Sequence, residues 1–505
     1  MARSFGSVLF AFALAASACP ARAAGSVPTS AEIEAKVRAA AGPAIPSYRE
    51  VVDSMGGGVA MHAVTLRSGR DYREEIDDGP LHTAYGSIGG QAWRQNANGE
   101  TILMQADPGL AVPDATTETV TPIDSPANGY LVSSLDVRGE GLKRYVDGAT
   151  WHVVRVDSVR LTETTVTTYD DFRTVAGHTT AFHFASSDGH PENDVDSHVT
   201  ELQPEAVDRN ALAVPKSRRI LVEFPAGKTT VQLPVRLDRG KFIVRVNIGS
   251  RGLDLVLDSG AAGIFLEDGI VRQLGLPVKR TRSNGVAAGR FREFTAVVPS
   301  MSVGDLKMHD VVVDSVPSVN VRGQLGDYQA VGLLGFDFID DIALKLDYLH
   351  GTATAYDPST FRPPTDSNGF SVDLRLGTGE PLATVTVNGA VGERFTLDTG
   401  SVGSLIIFDY FIRRNGAAMV DEGGGARALP MSFRGVGGDF AAKAYQLKEV
   451  LFGTVRFHDF LAYAVQSRGA YDADFDGTVG PKFFELFDVY FDYANARAYF
   501  VFNAS

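Results

Sequence analysis

Short apolar runs, broken every few residues by Gly, Asp or Asn, fill most of this chain, and they predict strands far more than helices. The clear exception comes early. Thr29-Ser30-Ala31-Glu32 is a capping box, and it predicts a helix to about Ala40. From Gly57 to about Thr200 the pattern predicts a β-meander. Its strand-like runs include Val59 to Leu66, Thr101 to Gln105, Trp151 to Val156 and Thr164 to Tyr169. The polar stretch from Gln203 to Arg219 reads as a linker.

Beyond it the chain repeats itself. One copy runs from about Ile220 to Asp357, the other from about Gly369 to Asn503. Each holds an apolar strand that ends in Asp-Ser/Thr-Gly: Leu253 to Leu257 before Asp258-Ser259-Gly260, and Arg394 to Leu397 before Asp398-Thr399-Gly400. Gly249 and Gly252 precede Asp258 at the intervals by which Gly389 and Gly392 precede Asp398. Gly304 to Asp310 matches Gly453 to Asp459, which puts His309 opposite His458 and suggests a shared structural role for them. Gly332-Leu333-Leu334-Gly335, Phe338 and Leu346-Asp347-Tyr348 match Gly477-Thr478-Val479-Gly480, Phe483 and Phe491-Asp492-Tyr493. Phe361 to Gly369, between the copies, has linker composition.

Length changes the picture by suggesting about three domains in 505 residues. A net charge of −14 without a basic block argues against a nucleic-acid partner. Arg3, the apolar run Val8 to Ala16 and Ala21-Arg22-Ala23 read as a signal peptide over residues 1–23, so export to a periplasm or beyond is expected. Cys19, the sole cysteine, lies inside that segment, so a mature chain would have neither disulfides nor thiol chemistry. Ala16-Ser17-Ala18-Cys19 as an imperfect lipobox is the rival reading. No apolar run after the signal is long enough for a transmembrane segment.

The two Asp turns, with their matching downstream landmarks, resemble the aspartic peptidases. The likeness is nearest to the bacterial retropepsin-like branch, with two lobes fused as in pepsins, and covers about half the chain. It implies that Leu333-Leu334-Gly335 and Val479-Gly480 thread beside the Asp strands. Arg272 to Leu276 looks like the short helix that follows the first Asp loop in that branch. Asp258 and Asp398 are then the catalytic pair. Two adjoining carboxyls cannot both ionise, so one is driven to hold a proton while the other activates water. Ser259 and Thr399 are expected to bond across the lobes, and Gly260 and Gly400 to occupy positions too tight for a Cβ. Ala261 faces Ser401 in the repeat. A hydroxyl on one side only would make the pair unequal, and a pH optimum less acid than that of a digestive pepsin is expected. Flap candidates are the Gly-rich segments holding Gly285 and Gly289, and Gly435, Gly437 and Gly438; ordinary hairpin turns are the alternative.

No metal or cofactor is expected. Asp472 to Gly477 opens like a calcium loop, but Phe483 stands where a bidentate Glu is needed. Gly423-Gly424-Gly425 lacks the helix and strand of a nucleotide site. His183 to His198 collects histidines and carboxylates without a recognised ligand spacing and reads as an exposed acidic hairpin. Gly90 to Trp93 and Val166 to Gly177 look like the half-barrel domains of periplasmic lipoprotein carriers. That likeness implies a possible apolar ligand.

The expectation is a mainly β chain. A helix-plus-meander, half-barrel-like domain (24–205) and a linker (206–219) precede two pseudo-twofold-related peptidase lobes (220–360 and 370–505), joined by a second linker (361–369). The expected activity is endopeptidase cleavage of peptide or protein substrates. The alternative is a non-catalytic protein that binds peptide or lipid in the same cleft.

Overall fold

The computed structural model describes residues 27–79, 81–104, 116–124, 128–136, 139–160, 163–217, 221–286, 289–317, 329–364, 368–416, 430–435, 438–465 and 475–503. The signal segment with Cys19, the Gly423 to Gly425 run, Gly437 and Asp472 to Asp474 lie outside the described residues. The chain divides into two compact units: residues 1–93 with 110–214, and residues 94–109 with 215–505.

The first unit is an antiparallel meander behind one helix. Thr29 caps the helix Ser30–Ala41. Its hydroxyl accepts from the Glu32 amide at 3.3 Å, and its own amide donates to the Glu32 carboxylate at 2.6 Å. Ile33 from this helix is buried with Val132 and Val146, and Lys36 lies 4.0 Å above the Trp151 ring. The strands run in space Leu81–Ile88, Asp71–Asp78, Val59–Ser68, Ser47–Gly56, Val195–Pro204, His178–Ser187, Thr164–Val175, Val153–Val159, Gly141–Val146, Gly129–Leu135 and Thr117–Ile123.

Two predicted strands change their bounds. Trp151 belongs to a turn, not a strand. Asp147 collects the amides of Ala149 and Thr150, the Trp151 amide bonds to the Asp147 carbonyl, and Trp151 takes φ 60°. The strand predicted at 164–169 runs on to Val175, with Asp171 at φ 47° inside it. Within the 203–219 stretch, a 3-10 turn at Arg209–Leu212 buries Leu212.

The second unit has one large apolar core. It runs from Leu221 to Phe500 and draws on both repeats, with Ile102 also inside it. Residues 94–104, which the sequence reading leaves in the N-terminal meander, pack here: the Asn98 side chain bonds both the carbonyl and the amide of Val312. Two sheets carry the repeats. The first orders Val235–Asp238, Lys241–Ile248, Arg251–Leu257, Gly332–Leu334, Ile264–Glu267, Leu306–Val316, Gly289–Val303 and Val278–Val286. The second orders Leu382–Val387, Ala390–Leu397, Gly477–Val479, Leu405–Ile407, Val455–Val465, Gly438–Phe452 and Pro430–Gly435. From Lys241–Ile248 onward the first sheet has the order of the second. A third sheet is shared: Thr230–Gln232, Thr352–Tyr356 and Ala343–Asp347 from one repeat, then Phe487–Asp492, Arg497–Phe502 and Gly369–Asp373 from the other. Leu344 pairs with Phe491 where the halves meet.

Candidate active site

Each aspartate is delivered by the same device. Val256 and Leu257 run parallel to Leu333 and Leu334, and the Asp258 amide then bonds the Leu334 carbonyl at 3.0 Å. Thr396 and Leu397 run parallel to Thr478 and Val479, and the Asp398 amide bonds the Val479 carbonyl at 2.9 Å. The ends of these strands are buried: Val256, Leu257, Leu334, Leu397 and Val479 are at most 3% exposed. The turn folds back on its own carboxylate: Gly260 donates to Asp258 at 3.0 Å and Gly400 to Asp398 at 2.8 Å.

Ser259 and Thr399 bond across the halves. Ser259 Oγ donates to the Leu397 carbonyl and Thr399 Oγ1 to the Leu257 carbonyl, both at 2.7 Å. The Ser259 amide donates to Thr399 Oγ1 and the Thr399 amide to Ser259 Oγ, both at 3.0 Å. All are buried, so each hydroxyl saturates a backbone group that would otherwise be stranded. The glycines explain the approach of the carboxyls. A Cβ on Gly260 would stand 2.6 and 2.7 Å from the two carboxyl oxygens of Asp398, and one on Gly400 would overlap the carboxyl of Asp258. Both residues must be glycine for the two carboxyls to meet.

Burial drives both carboxyls to hold protons. Asp258 is raised above the ordinary range by burial, offset by its bond to Asp398, by Lys241 and by the Gly260 and Gly400 amides. Asp398 is raised well above, by burial first and then by the charge of Asp258, with Lys241 pulling the other way. The pair therefore titrates as a unit and holds a shared proton above the ordinary carboxylate range.

Sequence reasoning missed Lys241. It opens the strand Lys241–Ile248 and is buried, with its ammonium donating to the Gly400 and Ser401 carbonyls, the latter at 2.8 Å. Burial lowers its pKa, and the charges of Asp398 and Asp258 oppose that shift. The two halves differ here, but not through the expected Ser401 hydroxyl: among the described residues that hydroxyl makes no bond to Asp398. Instead a cation sits behind the Asp398 loop, on the carbonyls of Gly400 and Ser401. Tyr348 and Tyr493, landmarks of the repeat, are also buried, with hydroxyls that have no hydrogen-bond partner among the described residues. Burial raises the pKa of both, and the charge of Asp398 adds to it.

Gly285 and Gly289 lie at the tip of one hairpin, where Gly285 pairs with Arg290 and Val286 with Gly289. Gly435 pairs with Gly438 at the tip of the equivalent hairpin in the other half. The segment 272–276 follows the first Asp loop, with the helix Asp268–Gln273 ending in it. His309 and His458 are exposed on equivalent strands.

Residues 244–338 match a family model described as aspartyl protease, which supports an aspartyl protease domain there. The match holds Asp258 and Gly335 but ends before the second repeat. No curated protein matches the chain. A LolA superfamily protein from Nitrosomonas europaea is similar over 37% of this chain and 98% of its own, at 10% identity and a TM-score of 0.29. A putative outer membrane lipoprotein-sorting protein domain from Vibrio parahaemolyticus is similar over 36% and 94%, at 9% identity and a TM-score of 0.28. Basic 7S globulin from soybean is similar over 55% and 95%, at 12% identity and a TM-score of 0.34. Among the described residues no helix is long and apolar enough to cross a membrane.

Proposed function

We propose that residues 215–505 form a bilobal aspartic endopeptidase unit in which Asp258 and Asp398 activate a water across a pseudo-twofold cleft. The observation that carries this is the reciprocal bonding of Ser259 and Thr399, which sets each carboxyl against the opposite glycine. The matching strand orders support equivalent lobes. The ionised member of the pair takes a proton from water, while the protonated member polarises the scissile carbonyl and later helps protonate the leaving nitrogen. The hairpin tips at Gly285/Gly289 and Gly435/Gly438 would serve as flaps. No metal or cofactor takes part in these steps.

The signal-like start of the sequence supports a periplasmic or secreted enzyme. For the first unit we propose carriage of an apolar ligand or peptide. Its small apolar clusters leave little core of its own, although buried Glu50 and Glu74 argue against a wholly apolar lining.

Peptide cleavage by Asp258→Asn and Asp398→Asn tests the catalytic reading. Loss of turnover of at least about 10³-fold in each is expected, with statine-type inhibitors no longer retained. Wild-type turnover in either variant would sink the dyad model. Peptide binding without turnover by the wild type would favour the binding-protein reading.

A further inference from the structure

The first unit carries a row of ionisable side chains in unbroken cross-strand register. His82 pairs with Asp77, Asp77 with His62, and His62 with Asp53. Asp53 pairs with His198, His198 with His183, and His183 with Asp170. Seven strands thus contribute one residue each, and four of the ten histidines fall in the row. All seven side chains are exposed or half-exposed. Residues directly opposite in a sheet are close enough to interact, so the order along the row matters.

Along most of the row a carboxylate stands beside an imidazole. His82 Nδ1 is 2.7 Å from Asp77, and His62 Nδ1 is 2.7 Å from Asp53. The alternation fails at one place, where His183 and His198 face each other. Their rings stack with centroids 4.5 Å apart and planes 21° from parallel. Two protonated imidazoles there would repel. At that point a carboxylate from outside the row enters: Asp196, two residues before His198. Its two oxygens lie 3.1 Å from His183 Nε2 and 3.0 Å from His198 Nε2. Both Nε2 atoms therefore converge on one carboxylate. On its far side the His183 ring is held by Asp170, with Nδ1 at 2.7 Å.

We propose that His183, His198 and Asp196 form a binding site for a divalent transition-metal cation of the zinc class. Three features carry the assignment. The ligand atoms, one from each residue, all lie within 4.8 Å of one another, the single such group among the described residues. Zinc holds imidazole nitrogen and carboxylate oxygen at about 2.0–2.2 Å, so neighbouring ligand atoms of a tetrahedral ion are roughly 3.3 Å apart. Each nitrogen already lies near that spacing from one of the two Asp196 oxygens, His183 Nε2 at 3.1 Å and His198 Nε2 at 3.0 Å. The contact of His183 Nδ1 with Asp170 is the outer carboxylate–imidazole contact that fixes a ligating ring and leaves Nε2 free to bind. Two imidazoles with one carboxylate select zinc, copper or nickel over calcium or magnesium, which prefer all-oxygen sets. Exposure of Asp196 and His198 leaves an entry path and room for a fourth ligand from solvent. Sequence spacing could not reveal this site, because it arises from strand register across the hairpin and not from an interval along one element.

The test is calorimetric titration of the tag-free full chain with ZnCl₂ at neutral pH, with MgCl₂ and CaCl₂ as separate titrants. One equivalent of zinc, absent from the doubly substituted His183→Ala/His198→Ala protein, is the expected result. Asp196→Asn should weaken it about tenfold or more, while His62→Ala, in the same row but away from the convergence, should leave it unchanged. Cobalt added to the wild type should give the intense visible bands of a tetrahedral site. That readout stands even if the double variant folds poorly. Absence of zinc binding by the wild type, equal zinc stoichiometry in the double variant, or equal binding of calcium would each overturn the proposal.

Discussion

Lys241→Met removes the cation that, among the described residues, lies buried beside the aspartate pair, while keeping most of the side-chain volume. The Lys241 ammonium reaches the Gly400 and Ser401 carbonyls, just beyond Asp398 in the chain. Two unit charges about 6 Å apart at an effective dielectric of about 20 attract by roughly 3 kcal/mol, or about two pKa units, which sets the order of magnitude for Lys241 and an ionised member of the pair. That attraction lowers the first ionisation of the pair, which on the proposed mechanism would form the acid limb of the activity profile. The sign follows directly: without the ammonium the singly ionised pair is harder to form, so the acid limb moves to higher pH by up to about two units. Glu380 and Glu485 add negative charge around the site, and Tyr348 and Tyr493 stay neutral, so none of them replaces the lost cation. The assay is kcat/KM for a peptide substrate from pH 2 to pH 8, beside thermal unfolding of each protein. The carbonyls of Gly400 and Ser401 lose a donor, and about 1–3 kcal/mol of stability should go with it. A folded Lys241→Met enzyme whose acid limb moves by less than about 0.3 units would refute the electrostatic role.

Thr399→Val strands the Leu257 carbonyl and the Ser259 amide, and chemical denaturation should show a loss of about 2–4 kcal/mol. Ser259→Ala should cost a similar amount, since its bonds mirror those of Thr399. Gly400→Ala pushes a methyl into the Asp258 carboxyl. Turnover should fall at least about 10²-fold, with a smaller change in melting temperature than in Thr399→Val. In the first unit, burial with the nearby Glu74 charge pushes Glu50 up to about 7. A carboxyl raised in the folded state contributes most below its unfolded pKa, and the contribution is lost as pH climbs through the folded value. Wild-type stability should therefore decline between about pH 4.5 and pH 7, and Glu50→Gln should remove about 3 kcal/mol of that slope. Melting curves at pH 5 and pH 8 measure it.

The parts of the site legible in the sequence are those written twice. Asp258 and Asp398 carry matching strands, matching glycines and matching partner elements, so the duplication itself marked them. Lys241 has no such mark: the second repeat has no counterpart for it, and its partners lie some 160 positions away. Its place at the head of an apolar strand looks like an ordinary solvated end. Tyr348 and Tyr493 were visible as repeat landmarks, but their burial near the carboxyls depends on how the two halves pack. Trp151 misled the strand pattern because its neighbour Asp147 had stronger local hydrogen bonds to offer the backbone. The Asn98 bonds that draw residues 94–104 into the second unit join groups more than 200 positions apart, beyond any local pattern.

The shared sheet bears on how such a chain could have arisen. Its order reads as a palindrome: three strands from one repeat meet three from the other, and the innermost strands, Ala343–Asp347 and Phe487–Asp492, pair antiparallel. A polypeptide holding a single repeat would end this sheet on a bare inner edge lined with Leu344 and Leu346. Another copy of itself could satisfy that edge. An ancestor of half the length would then have been a homodimer, with its seam where Leu344 now meets Phe491. Fusion would make that seam permanent and leave one copy free to carry Lys241 without the other.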